Sequence, residues 1–228
     1  MTFFQSPAFC ASEIWLSTST GPRGPCDRSG FGTFGALVAN ESLYIGVILV
    51  ALMAVFLTVR HTRAEEESGR SELVRAAAVG RHAATTAVLL VVNAAILVTS
   101  ALTTVGLAGQ EDLDWVGSAT YGLSMLAAGL VFTTAALVAA QATGYARGAV
   151  GLGTAVLAVT YLVRAVGDVS ETGLSWLSPF HWSLATRAFV DERVWPLGLV
   201  VLLLIVAVIV ANVLAERRDL GSGVLPPR

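Results

Sequence analysis

Apolar residues in this chain gather in long unbroken runs, not in the alternation of a half-buried strand or the one-sided stripe of a soluble helix. Five runs stand out: residues 43–59, 83–108, 118–142 and 149–166, and a last one that Trp195 and Pro196 open and that ends near Ala215. The shortest has about the minimum length for crossing a hydrocarbon core of roughly 30 Å as an α-helix. Lipid offers no water to satisfy backbone N–H and C=O groups, so runs of this kind must be helical. The pattern predicts an all-α, polytopic membrane helix bundle with five spans. An irregular tail (1–35) precedes the membrane domain (36–215), and a short polar tail (216–228) follows it.

The polar breaks between the runs differ in character. The longest, residues 60–82, holds five of the fourteen basic residues and four of the sixteen acids. Thr62 and Glu65 are spaced as a capping box, which predicts a helix start there. Glu66 with Arg70, and Glu72 with Arg75, are spaced to pair along a helical face. Gly69 and Gly80 bracket a separate short helix, 71–79, whose apolar side is Leu73, Val74, Ala77 and Ala78. Two readings stay open for this segment: a solvated, salt-bridged linker, or a helix that docks on a cytoplasmic partner. The second break, 109–115, is short and acidic and ends in Trp115, which suits a membrane interface. The third, 143–147, is a tight turn with one basic residue, Arg147, and Gly144 and Gly148 form a small-xxx-small pair there. In the fourth, 168–194, Ser178 before Pro179 reads as an N-cap with proline at the first helical position. Phe180, Leu184 and Ala188 then recur every four residues, so a short amphipathic helix is expected at the surface, anchored by Trp176 and Trp182.

Arginine distribution sets the expected orientation. Arg60, Arg63, Arg70, Arg75, Arg81, Arg147, Arg217, Arg218 and Arg228 fall on one side, against Arg23, Arg28, Arg187 and Arg193 on the other. The positive-inside rule then places the 60–82 loop and the C-terminus in the cytoplasm and the N-terminus outside.

Composition narrows the function. Only 13% of residues are charged and 55% are hydrophobic, against about 25% charged in an ordinary soluble domain. A net charge of −2 gives no basic face for nucleic acid. Every basic residue is arginine; without lysine there is neither a phosphate-binding loop of the GK[ST] type nor a Schiff-base lysine. Cys10 and Cys26, both in the N-terminal tail, lack metal-site spacing, although a disulfide between them is open if the tail lies outside. No cofactor is expected. His61 and His82 border the 60–82 loop and His181 sits among aromatics, all three reading as interfacial residues. A hydrolase-like Ser175, His181, Asp168 set has nothing in the sequence to fix its geometry.

Span interiors lack Asp and Glu, which disfavours proton-coupled transport. Arg164, one turn from the end of the fourth span, is the exception, and Asp168 at i+4 is spaced to neutralise it. The remaining intramembrane polar groups are neutral: Asn93, Thr99, Thr103, Thr133, Thr134 and Gln141. Among these, Asn93, Thr133 and Thr134 are the candidates for a translocation path.

Three segments, taken together, carry a resemblance: VRHTRAEEESGRSELVRAAAVGRH; YLVRAVGDV with LSWLSPFHWSLATRAFVDERVWPL; and the tail RRDLGSGVLPP. From about Gly32 onward the chain resembles the membrane permeases of ABC exporters, in the type-2 permease class that includes polyketide antibiotic exporters of high-GC bacteria. The resemblance implies a transmembrane subunit exporting hydrophobic or amphipathic compounds, with no enzymatic activity of its own. It implies two protein partners besides the bilayer: a cytoplasmic ABC ATPase, and a second permease half or a homodimer partner. It places Glu65, Glu66, Glu67, Gly69, Arg70, Glu72, Leu73 and Arg75 in the region that couples to the ATPase. Residues 174–193 become the outer re-entrant helices, with Trp176, Pro179, Phe180 and Trp182 in the interfacial one. Such permeases carry two six-span halves, so the five runs correspond to the second to sixth spans of one half, assigned to the first. A truncated gene, a misplaced start or a companion chain would account for the missing span. The rival reading is a non-transporting membrane scaffold or regulatory remnant of a permease.

Overall fold

The structure is a computed structural model that describes residues 35, 39–64, 83–111, 113–170, 173–190 and 192–216. All the described secondary structure is helical. α1 is Tyr44–Val59, extended at its two ends by single π-helical turns, Ala39–Leu43 and Arg60–Ala64. α2 is Ala83–Ala108, α3 Trp115–Ala142 and α4 Ala146–Val169. A 3-10 turn, Gly173–Leu177, leads into the six-residue α5, Pro179–Leu184, and α6 is Pro196–Glu216. Four helical stretches, those of α1 to α4, are long and apolar enough to cross a membrane; α6, with 21 residues, is the fifth predicted run. The protein is a multi-pass, all-α membrane bundle.

The boundaries shift where local chemistry overrides the apolar count. The first span does not stop at Val59 with a new helix starting at Thr62. Helical backbone runs on through Ala64, and the Thr62 hydroxyl donates back to the Thr58 carbonyl at 2.7 Å. Thr62 is therefore an interior helical residue, while Glu65, the other member of the expected capping box, lies outside the described residues. α3 starts at Trp115, earlier than Ser118, because Asp114 caps it: its Oδ2 accepts from the Gly117 N–H at 2.9 Å. α4 likewise takes in Ala146 and Arg147, leaving only 143–145 as the turn.

α3 is the centre of the bundle, packed against α1, α2, α4 and α6. Over its apolar 18-residue stretch 72% of α3 is buried, compared with 17% for α2 and for α4. Close approach depends on glycine. A Cβ at Gly129 would lie 2.5 Å from Ile96 Cγ2 on α2 and 2.9 Å from Val50 Cγ1 on α1. One side-chain-free position thus lets three helices meet. The pair Gly144 and Gly148 does not serve this role, since Gly148 faces the ring of Tyr145 on its own chain segment; α4 meets α1 at Gly153, against Val55. Hydroxyls along the helices return to carbonyls four residues back: Thr99 to Ala95, Thr103 to Thr99, Thr133 to Gly129 and Thr134 to Leu130, at 2.8–2.9 Å.

The contacts set α1 parallel to α3 and α2 antiparallel to it, with α4 antiparallel to α1, so the bundle has two ends. The 3-10 turn, α5 and the start of α6 cover the end where α4 finishes, here termed the capped end. The opposite end carries Arg63 and the 143–145 turn.

Candidate functional site

Charge and aromatic surface converge at the capped end. Arg164 and Asp168, four residues apart on α4, form the expected pair with Nε 3.2 Å from Oδ2. The angles do not make this a hydrogen bond, as Arg164 Nε has no aligned acceptor, so the contact is an ion pair. Two rings from two other elements flank the guanidinium, and a third joins them. The guanidinium carbon stands 5.0 Å from the Tyr44 ring centroid on α1 and 5.9 Å from that of Phe180 on α5. Tyr161, one turn before Arg164 on α4, meets both rings in tilted or edge contacts, with centroids 5.7 and 6.2 Å away. Cation–π attraction suits such a cage, and the long arginine stem lets the charge sit close to the boundary.

The other carboxylate oxygen of Asp168 faces a second base. His181 Nδ1 lies 3.8 Å from Asp168 Oδ1, too far for a hydrogen bond. Burial is the main influence on this imidazole and holds its pKa below the ordinary value; Asp168 pulls it upward and Arg164 pushes it further down. Trp176 meets the imidazole edge-on at 4.9 Å and stacks on Trp195, at the start of α6, with centroids 5.1 Å apart and planes 18° from parallel. The Trp182 indole N–H donates to the Trp176 carbonyl at 2.7 Å.

Backbone contacts seat this cap. Gly167 lets α4 approach the 3-10 turn: a Cβ there would fall within 3.0 Å of the Ser175 Cα and the Leu174 carbonyl carbon. Ser178 occupies the N-cap position of α5, but its hydroxyl caps no N–H of that helix. It donates instead to the Thr160 carbonyl of α4 at 2.7 Å, joining the cap to the span. Beyond α5 the Ser124 and Thr186 hydroxyls meet at 2.7 Å in the interior. Phe180 is fully buried, so the helix expected at the surface plugs the bundle with its apolar side; Ala188 is also buried but lies past the end of α5. Ser175 has no hydrogen bond to His181 among the described residues, and Asp168 is engaged by Arg164, so these three groups do not form a hydrolase site.

At the opposite end Arg63 is 7% exposed, and its Nε–H donates to the Ala140 carbonyl in the last turn of α3. A cation there satisfies an end carbonyl and complements the negative pole of the helix dipole. The sequence reading counted Arg63 only as a loop charge.

Of the candidate path residues, Thr133 and Thr134 are buried with their hydroxyls committed to their own helix. Asn93, on α2, keeps a buried Oδ1 without a hydrogen-bond partner among the described residues. The candidate coupling residues Glu65, Glu66, Glu67, Gly69, Arg70, Glu72, Leu73 and Arg75 lie outside the described residues, as do Cys10, Cys26 and His82. Sequence reasoning found Arg164, Asp168, Trp176, Phe180 and Trp182, and missed Tyr44 and Trp195 as their neighbours. Tyr161, three residues before Arg164, was open to detection by helical spacing; Tyr44 comes from another helix and gave no local signal.

Residues 31–217 match the family described as "Multidrug efflux system permease Rv1217c, C-terminal domain". Over 212 residues, 90% of its length, the chain is 39% identical to the multidrug efflux system permease protein Rv1217c of Mycobacterium tuberculosis (strain ATCC 25618 / H37Rv). It spans 38% of that relative's length. The matched domain is named as C-terminal, so assigning these spans to a first half does not carry over. On the extent of this match, the chain belongs to the family of multidrug efflux permease C-terminal domains.

Proposed function

We propose that this chain is a transmembrane subunit of an efflux system exporting hydrophobic or amphipathic compounds such as antibiotics, driven by a separate cytoplasmic ABC ATPase. The observation that carries the reading is the family match across 31–217, which takes in every described helix. An apolar bundle with few fixed charges suits such cargo, because a translocation route without buried ionisable groups imposes little desolvation on amphipathic molecules. In this reading residues 60–82 face the cytoplasm and Glu65, Glu66, Glu67, Gly69, Arg70, Glu72, Leu73 and Arg75 engage the ATPase. Asn93, Thr133 and Thr134 border the route, and Asn93 contributes its unused acceptor. A second permease half or another copy completes the pathway.

The test is to express the affinity-tagged chain with its companion permease and ATPase in a drug-sensitive host, then measure ethidium accumulation and recovery of the ATPase with the tag. Lowered accumulation that requires an intact ATPase supports the proposal. A stable chain that retains no ATPase and leaves accumulation unchanged would identify a scaffold instead. Orientation is checked separately in intact cells. With Cys10 and Cys26 changed to Ser, an impermeant thiol reagent should label Gln110→Cys and Ser170→Cys and spare Ser68→Cys; labelling of Ser68→Cys reverses the topology.

A further inference from the structure

We propose that His181, Asp168 and Arg164 form a proton-sensitive clasp that seats residues 173–190 over the capped end of the bundle and releases them on acidification. The proposal stands independently of what the protein transports.

One carboxylate faces two bases from opposite sides. Arg164 holds Oδ2 at 3.2 Å and the imidazole of His181 lies 3.8 Å from Oδ1. With His181 neutral, the cluster holds one positive and one negative charge and the cap seats without net charge. A proton on His181 makes the cluster singly positive, in a place where Trp176 lies edge-on to the half-buried imidazole and the adjacent Phe180 is fully buried. Asp168 is then shared by two cations, and Arg164 repels the new one. Charge introduced into such surroundings costs more than the same charge in water. The groups facing His181 are few. Among the described residues they are Asp168 and Arg164 from α4 and Trp176 from the 3-10 turn. The phenols Tyr44 of α1 and Tyr161 of α4 reach the cluster through the Phe180 and Arg164 contacts.

The sign follows from linkage. Burial outweighs the attraction of Asp168 and holds the imidazole pKa below that of the free side chain, which is roughly 6.5. A histidine depressed in this way leaves the seated state at full strength above the free value. Seating weakens as pH falls from there to the seated value, by up to about tenfold per pH unit, since the released state binds the proton more tightly. The same proton reaches α6, because the Trp176 ring touching His181 also stacks on Trp195.

Ser183, on α5 within the cap, is completely buried, so a cysteine there reports on seating. In the purified chain in nanodiscs, with Cys10 and Cys26 changed to Ser, maleimide labelling of Ser183→Cys is followed from pH 8 to pH 4.5. Each rate is normalised to that of the detergent-unfolded chain at the same pH. Protection should be constant above about pH 6.5 and fall below it, and His181→Gln should abolish the dependence. Asp168→Asn should move the midpoint down and Arg164→Gln should move it up, because they remove opposite influences on the same proton. If the cysteine reporter disturbs the fold, tryptophan emission of the wild-type chain reads the same titration, with a protonated His181 quenching Trp176. Unchanged protection across the range, a midpoint above that of free histidine, or an identical titration in His181→Gln would each overturn the clasp.

Discussion

The apolar 18-residue stretches of α3 and α4 have mean hydropathies of 2.0 and 1.8, yet 72% of one is buried and 17% of the other. α2 sharpens the contrast: it is more hydrophobic than α3, at 2.2, and as exposed as α4. In water a greasier helix moves inward, but lipid tails are as apolar as leucine and supply no such drive. Position in the bundle is decided by how closely backbones can approach. Gly122 and Gly129, two turns apart on α3, both abut α2, while Gly151 on α4 has nothing among the described residues within 4 Å of its missing side chain. Hydropathy finds the spans, and close packing ranks them.

The largest test of this contrast is the same substitution made on both helices. Gly129→Leu should cost about 3 kcal/mol through overpacking against Ile96 and Val50, seen as a lower midpoint in denaturing-detergent titration and loss of the monodisperse peak. A smaller effect is expected where α4 meets the cap. Asp168→Asn leaves the Arg164 charge without its partner and should cost about 1–2 kcal/mol, below the 3–5 kcal/mol of a fully buried pair because Asp168 is 40% exposed. The double change Arg164→Gln with Asp168→Asn should recover part of that loss of membrane accumulation; recovery of nothing would show that the two charges are uncoupled. The smallest effect belongs to Gly151→Leu, expected within about 0.5 kcal/mol of the parent because its site is open. Equal losses for Gly129→Leu and Gly151→Leu would remove α3 from the centre.

Much of the fold was legible in the sequence because lipid leaves so few options for a long apolar run. The Arg164–Asp168 pair was equally legible, being a matter of four-residue spacing on one helix. What was not legible required knowing which helices touch. Tyr44 and Tyr161 are 117 positions apart in the chain, yet their rings contact each other. Ser178 looked like a helix cap, and in isolation it would be one; the nearby Thr160 carbonyl of α4 takes the hydroxyl instead. Apolar spacing also carried the expected helix on to Ala188, whereas the chain leaves α5 through Arg187 and Phe189 in the left-handed region, with φ of 48° and 65°. Phe189 is held there by packing on the glycine surfaces of Gly35 and Gly117, a long-range support that outweighs the local backbone preference.

The bond from Arg63 to Ala140 sets a rule of phase for the first helix. Adding one residue to an α-helix turns everything beyond it by about 100°, which would swing this guanidinium away from α3. The π-helical turn at Arg60–Ala64 takes up one residue more per turn than an α-turn, and in this chain that wider turn aims Arg63 at its carbonyl. Length changes between Val59 and Arg63 can therefore persist only as whole turns, about three or four residues at a time. Single-residue insertions there would free a buried arginine even though every apolar position of α1 stayed intact.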